Sequence, residues 1–321
     1  MPVITLNGSC FEENFKSFEP TNPHQHLDKI TKSFFIDSDK VQQAKLAKAQ
    51  SQPYILFKQA FTLNQLPDTP STFEPLLSNH WWLGANTAIV LANAMNMKLY
   101  SYKSENNGSS FVNLVRVKNS SIRDKSDKSM RGHTDAAAHP LPDEHQRYPN
   151  VSPSPDFVIL ICLRNQSTAT KIAPLSKVVQ YLDEEDLEQL QEPQFIVRPQ
   201  GTFKMENWML SNVKIISNNS LAIRYSHQNV SLDNAYDKEH NDNQGTVANA
   251  ALKVAIEKSM QDLVLEPGDI AFVNNRTAIH GRSKPHPDDD GQGRWLMRTY
   301  GIMDETKVYP ESQDKPYLLV P

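Results

Sequence analysis

The sequence predicts a mainly β fold, an antiparallel sandwich or barrel interrupted by helical insertions. Two observations carry this. Short apolar runs recur after residue 96, separated by turn-forming residues, at 97–102, 111–117, 157–163, 195–197, 213–216, 221–225, 270–274 and 295–302. Two stretches of helical composition, 175–190 and 246–260, break that series. No repeat or interdomain linker is evident, so residues 1–321 read as a single domain. Within it, 1–90 form a mixed helical and strand extension packed on a β core spanning 91–321.

Taken in order, residues 37–50 have helical composition, with Asp37 or Ser38 as N-cap. Tyr54–Lys58 reads as a strand, and the Pro-rich stretch 66–75 as a loop. Residues 81–96 form an apolar helix whose Trp81 and Trp82 belong to the core. The insertion at 175–190 carries the acidic segment Asp183-Glu184-Glu185-Asp186. That at 246–260 places Val247, Ala251, Ala255 and Met260 on one stripe. Pro267-Gly268-Asp269 is a turn signal before the next strand. Two polar segments, 119–130 and 226–244, look mobile, and the second is a candidate lid.

Composition excludes several classes. Hydrophobic residues at 38% and charged residues at 22% are ordinary for a globular protein, not a disordered one. A net charge of −4 without a long basic run gives no nucleic-acid groove or anionic-lipid surface. Cys10 and Cys162 are the two cysteines, too few for a disulfide scaffold or a cysteine-based zinc site. Cys162, inside an apolar run, is expected as a buried free thiol. Residues 1–10 carry no signal-peptide pattern, and 81–97 is broken by Asn86, Asn93 and Asn96. The expectation is a cytoplasmic protein without a membrane span; its oligomeric state is not legible.

Chemistry concentrates in two histidine segments, Gly132-His133-Thr134-Asp135-Ala136 and Asn275-Arg276-Thr277-Ala278-Ile279-His280-Gly281-Arg282. His133 and Asp135 are two apart, so on extended chain both reach one metal. His280, at a strand end, is the best third ligand. Two His and one Asp leave three adjacent positions open on six-coordinate ferrous iron. Arg294 and Arg298 follow, bracketing Trp295-Leu296-Met297, with Arg294, Leu296 and Arg298 on one strand face. Arginines pointing into a barrel are costly unless each meets an anion, and guanidinium matches a carboxylate in a bidentate fork. His139 and His145, in a Pro-rich loop, are expected at the surface, and Asp288-Asp289-Asp290 as a solvated turn.

These motifs, with Gly293-Arg294-Trp295-Leu296-Met297-Arg298, Ile161-Cys162-Leu163-Arg164 and Thr168-Ala169-Thr170, resemble the clavaminate synthase-like branch of the Fe(II)/2-oxoglutarate-dependent oxygenases. Asparagine and arginine hydroxylases belong there, with taurine dioxygenase more distant. The resemblance runs over roughly 90–302. It implies a double-stranded β-helix, or jelly roll, with His133, Asp135 and His280 as iron ligands. It implies Arg294, assisted by Thr170, for the distal carboxylate of 2-oxoglutarate, and Arg298 for a substrate carboxylate, with Asp135 also near the substrate. The branch often carries Glu where this chain has Asp135. Relatives that grip basic side chains carry acidic residues after the strand equivalent to 221–225. Here Ser226 and His227 follow, with Asp233 and Asp237 further on.

The implied activity is hydroxylation of an unactivated C–H bond in a free amino acid or small amino-acid-like carboxylate. Dioxygen is consumed and 2-oxoglutarate becomes succinate and carbon dioxide. Two alternatives share the residues: a zinc-dependent hydrolase on the same three ligands, which leaves both arginines and Thr170 idle, and a jelly-roll binding protein without turnover.

Overall fold

The computed structural model describes residues 3–5, 18–25, 50–63, 65–116, 126–219, 221–233, 243–286 and 290–320. Residues 37–49 of the helix expected at 37–50, Cys10, Asp237, Asp288 and Asp289 lie outside them, as do 119–125 of the first polar segment and 234–242 of the candidate lid. In chain order the described elements begin with β1 (Val3–Thr5), β2 (Tyr54–Lys58), α1 (Trp82–Ala94), β3 (Lys98–Tyr102), β4 (Val112–Leu114), β5 (Met130–His133), β6 (Phe157–Arg164) and β7 (Thr170–Pro174). There follow α2 (Leu175–Val178), α3 (Glu184–Gln191), β8 (Phe195–Val197), β9 (Leu210–Val213), β10 (Val230–Leu232) and α4 (Gln244–Ser259). The chain continues through β11 (Gln261–Leu263), β12 (Ile270–Asn274), β13 (Ala278–Arg282), β14 (Trp295–Ile302), β15 (Pro310–Ser312) and β16 (Lys315–Leu319).

The larger sheet runs β1-β2-β12-β6-β14-β3-β16-β15, with β4 also paired to β14; the smaller runs β11-β7-β13-β5. Four strands of the first, β4, β14, β6 and β12, face the four of the second. Along the chain they alternate between sheets, except that β7 and β11 are neighbours in one sheet and bracket the insertion. This is the expected jelly roll. The insertion folds as α2, α3, the small sheet β10-β8-β9, and α4.

Burial explains the strand sequences. Phe157, Ile159 and Ile161 of β6 pack with α1, while Val158, Leu160 and Cys162 face the barrel interior. With both faces covered, β6 reads as an unbroken apolar run rather than an alternation. The same parity holds in β14, where Trp295 and Met297 face α1, and Leu296, Tyr300 and Ile302 face inward. Phe272 of β12 is fully buried against Phe57, with centroids 5.4 Å apart and rings at 72°. Phe272→Ala is expected to cost about 3–5 kcal/mol, checked by urea unfolding; an unchanged midpoint would show that this layer contributes little.

Several expectations are corrected. Residues 175–190 form two helices, because Leu182 and Asp183 are extended and α3 begins after Asp183 with Glu184, Glu185 and Asp186 in its first turn. Acidic groups suit the positive end of a helix, so the acidic run starts a helix instead of continuing one. On α4 the buried face is Ala248, Leu252, Ala255 and Ile256, while Val247 is exposed. The runs at 213–216 and 221–225 form no ladder beyond Val213 in β9; one isolated bridge joins Ile216 and Ile223. Tyr54–Lys58, the 66–75 loop and the Pro267-Gly268-Asp269 turn stand as read. Among the described residues no helix is long and apolar enough to cross a membrane.

Candidate active site

The site is built where β5 and β13 run side by side, with His133 directly opposite His280. Strand parity sends both imidazoles into the barrel. Ala278, two residues before His280, lies in the interior cluster, whereas Ile279 packs on the insertion. Gly132 faces the insertion too, and a Cβ there would come within 2.9 Å of Ile256 and Ile279 side chains. A glycine before His133 therefore lets α4 press against the edge of the smaller sheet.

Asp135 lies just beyond β5, in a turn rather than on the strand, followed by Ala136 at φ 53°. It still meets the histidines because Asn275 holds its backbone. The Asp135 amide donates to Asn275 Oδ1 at 2.9 Å, and Asn275 Nδ2 donates back to the Asp135 carbonyl at 3.0 Å. On the other side Thr134 is laced to Tyr225 by three hydrogen bonds: its amide and its hydroxyl donate to the Tyr225 carbonyl, and the Tyr225 amide donates to its hydroxyl. Asp135 Oδ1 then sits 3.3 Å from His133 Nε2 and 3.8 Å from His280 Nε2. One donor atom from each of the three residues lies within 4.8 Å of the others.

The donors suit a cation. His133 Nδ1 lies 3.0 Å from the Arg131 carbonyl, which fixes the proton on Nδ1 and leaves the Nε2 lone pair for a metal. Burial, with His133 beside it, pulls His280 down to about 3, so it is neutral at physiological pH. Burial alone would lower His133, but its hydrogen bond with Asp135 and that carboxylate's charge raise it. Burial alone would raise Asp135, but the Arg298 guanidinium and the two histidines hold it well below the usual carboxylate range. A buried carboxylate held ionised between two imidazoles is a ready ligand set for a divalent ion.

Arg298, on β14, contacts the triad, and Arg294 lies immediately before that strand. Arg298 donates from Nη1 to Asp135 Oδ2 at 3.2 Å and from Nη2 to Glu105 Oε1 at 2.7 Å. Tyr300 donates its hydroxyl to Glu105 Oε2 at 2.9 Å, and the Arg298 guanidinium lies 4.6 Å from its ring centroid. Arg294 donates from Nη1 to the Leu114 carbonyl at 3.1 Å, and its buried Nε has no partner. Burial and the neighbouring Arg282 pull Arg294 down to about 9. Such a guanidinium is short of an anion. Thr170, buried at the start of β7, is the register partner of Arg282 on the inward-facing side.

The sequence reading missed Glu105, Tyr300 and the clamp by Asn275. Glu105 sits in a polar stretch that reads as a solvated turn, yet it is only 3% exposed. The histidine motif contained Asn275, but nothing in its spacing shows that it grips Asp135. His139 is a correction: it is buried against Tyr102, with its Nδ1 3.0 Å from the Ser152 carbonyl, not at the surface. Burial pulls it down to about 4.

Residues 76–300 match the family described as taurine catabolism dioxygenase TauD, TfdA family. The chain belongs to that family. An L-asparagine oxygenase of Streptomyces coelicolor is 27% identical over 153 residues, 47% of this chain and 44% of that protein. The match thus spans less than half of that relative. Among TauD-fold structures, an asparagine oxygenase in complex with Fe(II), 2S,3S-3-hydroxyasparagine and succinate superposes with a TM-score of 0.81. It is 20% identical and both chains are covered fully. A non-heme iron oxygenase, OrfP, in complex with Fe and alpha-ketoglutaric acid has a TM-score of 0.77 at 18% identity, over 99% of this chain and 100% of that one. These likenesses extend the TauD fold beyond 76–300, to nearly the whole chain.

Proposed function

We propose that this protein is a non-haem Fe(II)/2-oxoglutarate-dependent dioxygenase that hydroxylates a free amino acid or a small amino-acid-like carboxylate. The observations that carry the reading are the inward His133–Asp135–His280 triad and, just before the strand that carries Arg298, an Arg294 whose buried Nε has no partner and no anion. His133, Asp135 and His280 hold the iron. Arg294, with the Thr170 hydroxyl, receives the distal carboxylate of 2-oxoglutarate. Family membership and the iron, succinate and alpha-ketoglutarate complexes of the structural neighbours support this. A zinc hydrolase on the same ligands gives Arg294 no partner.

When bound, iron, 2-oxoglutarate and dioxygen supply the oxidising chemistry, yielding succinate, carbon dioxide and one oxygen atom inserted into a C–H bond. The chain binds, orients and excludes water. Leu160, Leu296, Ile172 and Ala136 give the interior an apolar lining, which strengthens the ionic contacts inside it. Arg298 and Glu105 form a mixed-charge cradle. A substrate α-carboxylate pairs with Arg298, and an α-ammonium meets Glu105 and the outer oxygen of Asp135. Both charges of a zwitterion are thereby matched, which favours free amino acids over peptides. The small-molecule substrates named for the relatives support that class. Residues 1–321 are read as a single oxygenase domain, since β1 and β2 extend the larger sheet of the barrel. The buried free Cys162 suits a reducing compartment such as the cytoplasm.

The test is succinate formation from 2-oxoglutarate under air with ferrous iron, screened across free amino acids and their N-acetyl forms. A free amino acid that stimulates succinate release and gains one oxygen atom is the expected result. Stimulation by none of them, or equally by N-acetyl forms, contradicts the zwitterion cradle. Glu105→Gln is expected to raise the amino-acid KM about 10- to 100-fold, the worth of one hydrogen bond to a charged group. The KM for 2-oxoglutarate should stay unchanged.

A further inference from the structure

Arg164 ends β6 and has no part in the chemistry above. Its guanidinium nevertheless spans three oxygens. Nη1 donates to Thr69 Oγ1 at 2.6 Å and to the Gly291 carbonyl at 3.2 Å, and Nη2 to the Pro67 carbonyl at 3.2 Å. Thr69 carries the connection onward. Its amide donates to the Gly291 carbonyl at 2.7 Å, and its hydroxyl to the Gly293 carbonyl at 2.8 Å. Gly291 has φ +77°, and a Cβ there would lie 2.7 Å from Asp68 Cγ, so loop and strand approach are in close contact. The residue before Arg294 is thus tied to the Pro-rich loop.

The residue after Arg294 is tied to the same loop. Trp295 donates its indole N–H to Asn113 Oδ1 at 2.9 Å. Asn113 in turn donates its amide to the Phe73 carbonyl at 2.8 Å and its Nδ2 to the Glu74 carbonyl at 2.5 Å. Leu114, next to Asn113, supplies the carbonyl that accepts from Arg294. The β6–β14 register also shifts here, Trp295 opposing Arg164 and Leu296 opposing Cys162. An irregularity of this kind re-aims the adjoining side chain.

We propose that Arg164 is a positioning residue for 2-oxoglutarate. With Thr69 it clamps the 67–75 loop to residues 291–293, so that the Arg294 guanidinium is held where the distal carboxylate arrives. This rests on the role given to Arg294 above. The acceptors are neutral oxygens, so the cation serves geometry: a planar guanidinium spans three acceptors from one position, whereas a lysine ammonium does not hold the same fork.

Anaerobic 2-oxoglutarate titrations of the Fe(II)-loaded protein, followed by the visible charge-transfer band, test it. Arg164→Gln and Thr69→Val are each expected to weaken 2-oxoglutarate about tenfold, as loss of an outer partner of a binding group does. Arg164→Lys should fall nearly as far, and Thr69→Ser should match the wild type. Iron affinity and amino-acid KM should not move, which separates positioning from general loosening. Arg147→Gln, which removes an arginine bonded to the remote Asn212 carbonyl, is the control and should bind normally. Wild-type affinity in Arg164→Gln, or equal losses for iron, amino acid and 2-oxoglutarate, overturns the proposal. If Arg164→Gln does not fold, the Thr69→Val and Thr69→Ser pair decides. A wild type that binds iron but no 2-oxoglutarate overturns the Arg294 reading instead.

Discussion

Arg294→Leu is expected to weaken 2-oxoglutarate binding by about 10²- to 10³-fold, the worth of one partner in a desolvated ion pair. Iron binding should survive. The argument lies in the charge balance around Arg294. It is part-buried, donates to one carbonyl, holds a buried Nε without a partner and sits beside a second cation, Arg282. Burying a charge without an anion destabilises the fold, so the residue costs stability in the ligand-free protein. The leucine variant should therefore melt at or above the wild-type temperature without 2-oxoglutarate, and lose the upward shift that 2-oxoglutarate gives the wild type. Thermal denaturation with and without the dicarboxylate reads both effects. A variant that melts lower yet still responds to 2-oxoglutarate would mean that Arg294 is structural and the dicarboxylate binds elsewhere.

The second large effect is at the triad. His133→Ala and Asp135→Ala should each abolish stoichiometric ferrous binding and reduce succinate formation to background. The two should differ in stability. His133 removes a ligand that otherwise contacts Asp135 and the Arg131 carbonyl. Asp135→Ala also strips Arg298 of one of its two carboxylates, leaving Glu105 alone to balance it. Removing one partner of a buried charge pair costs more than removing a neutral group, so Asp135→Ala should be the less stable, by about 3 kcal/mol at most while Glu105 remains. Iron content by elemental analysis and the urea midpoint measure the two outcomes. Equal stability would show that Glu105 alone suffices for Arg298.

Much of this site was legible because its chemistry is local in sequence. His133 and Asp135 are two residues apart and Arg294 and Arg298 four apart, so residue type and spacing grouped them, although Asp135 reaches the histidines from a turn held by Asn275 and not by strand parity. The β core was legible for the same reason: β6 is covered on both faces and reads as an unbroken apolar run, and β14 reads as an apolar run interrupted by Arg298 and Thr299. What was not legible depends on contacts distant in sequence. Glu105 becomes a site residue only because β14 brings Arg298 and Tyr300 to it. His139 is buried because Tyr102 and Phe203 close over it. The apolar stripe on α4 was misassigned because its buried side is set by the insertion it packs on, not by its own weak amphipathicity. The break at Leu182 and Asp183 lay within a composition that favours helix on both sides.

The central claim is that the triad and Arg294 together bind iron and 2-oxoglutarate as one chelate. The measurement that tests it most directly is anaerobic addition of ferrous iron and then 2-oxoglutarate to the metal-free protein, watching for the visible metal-to-ligand charge-transfer band. A His133→Ala, Asp135→Ala double variant is run alongside. The account predicts a saturable band in the wild type and none in the double variant. A wild type that takes up iron without developing the band, or that takes up zinc and no iron, would contradict it.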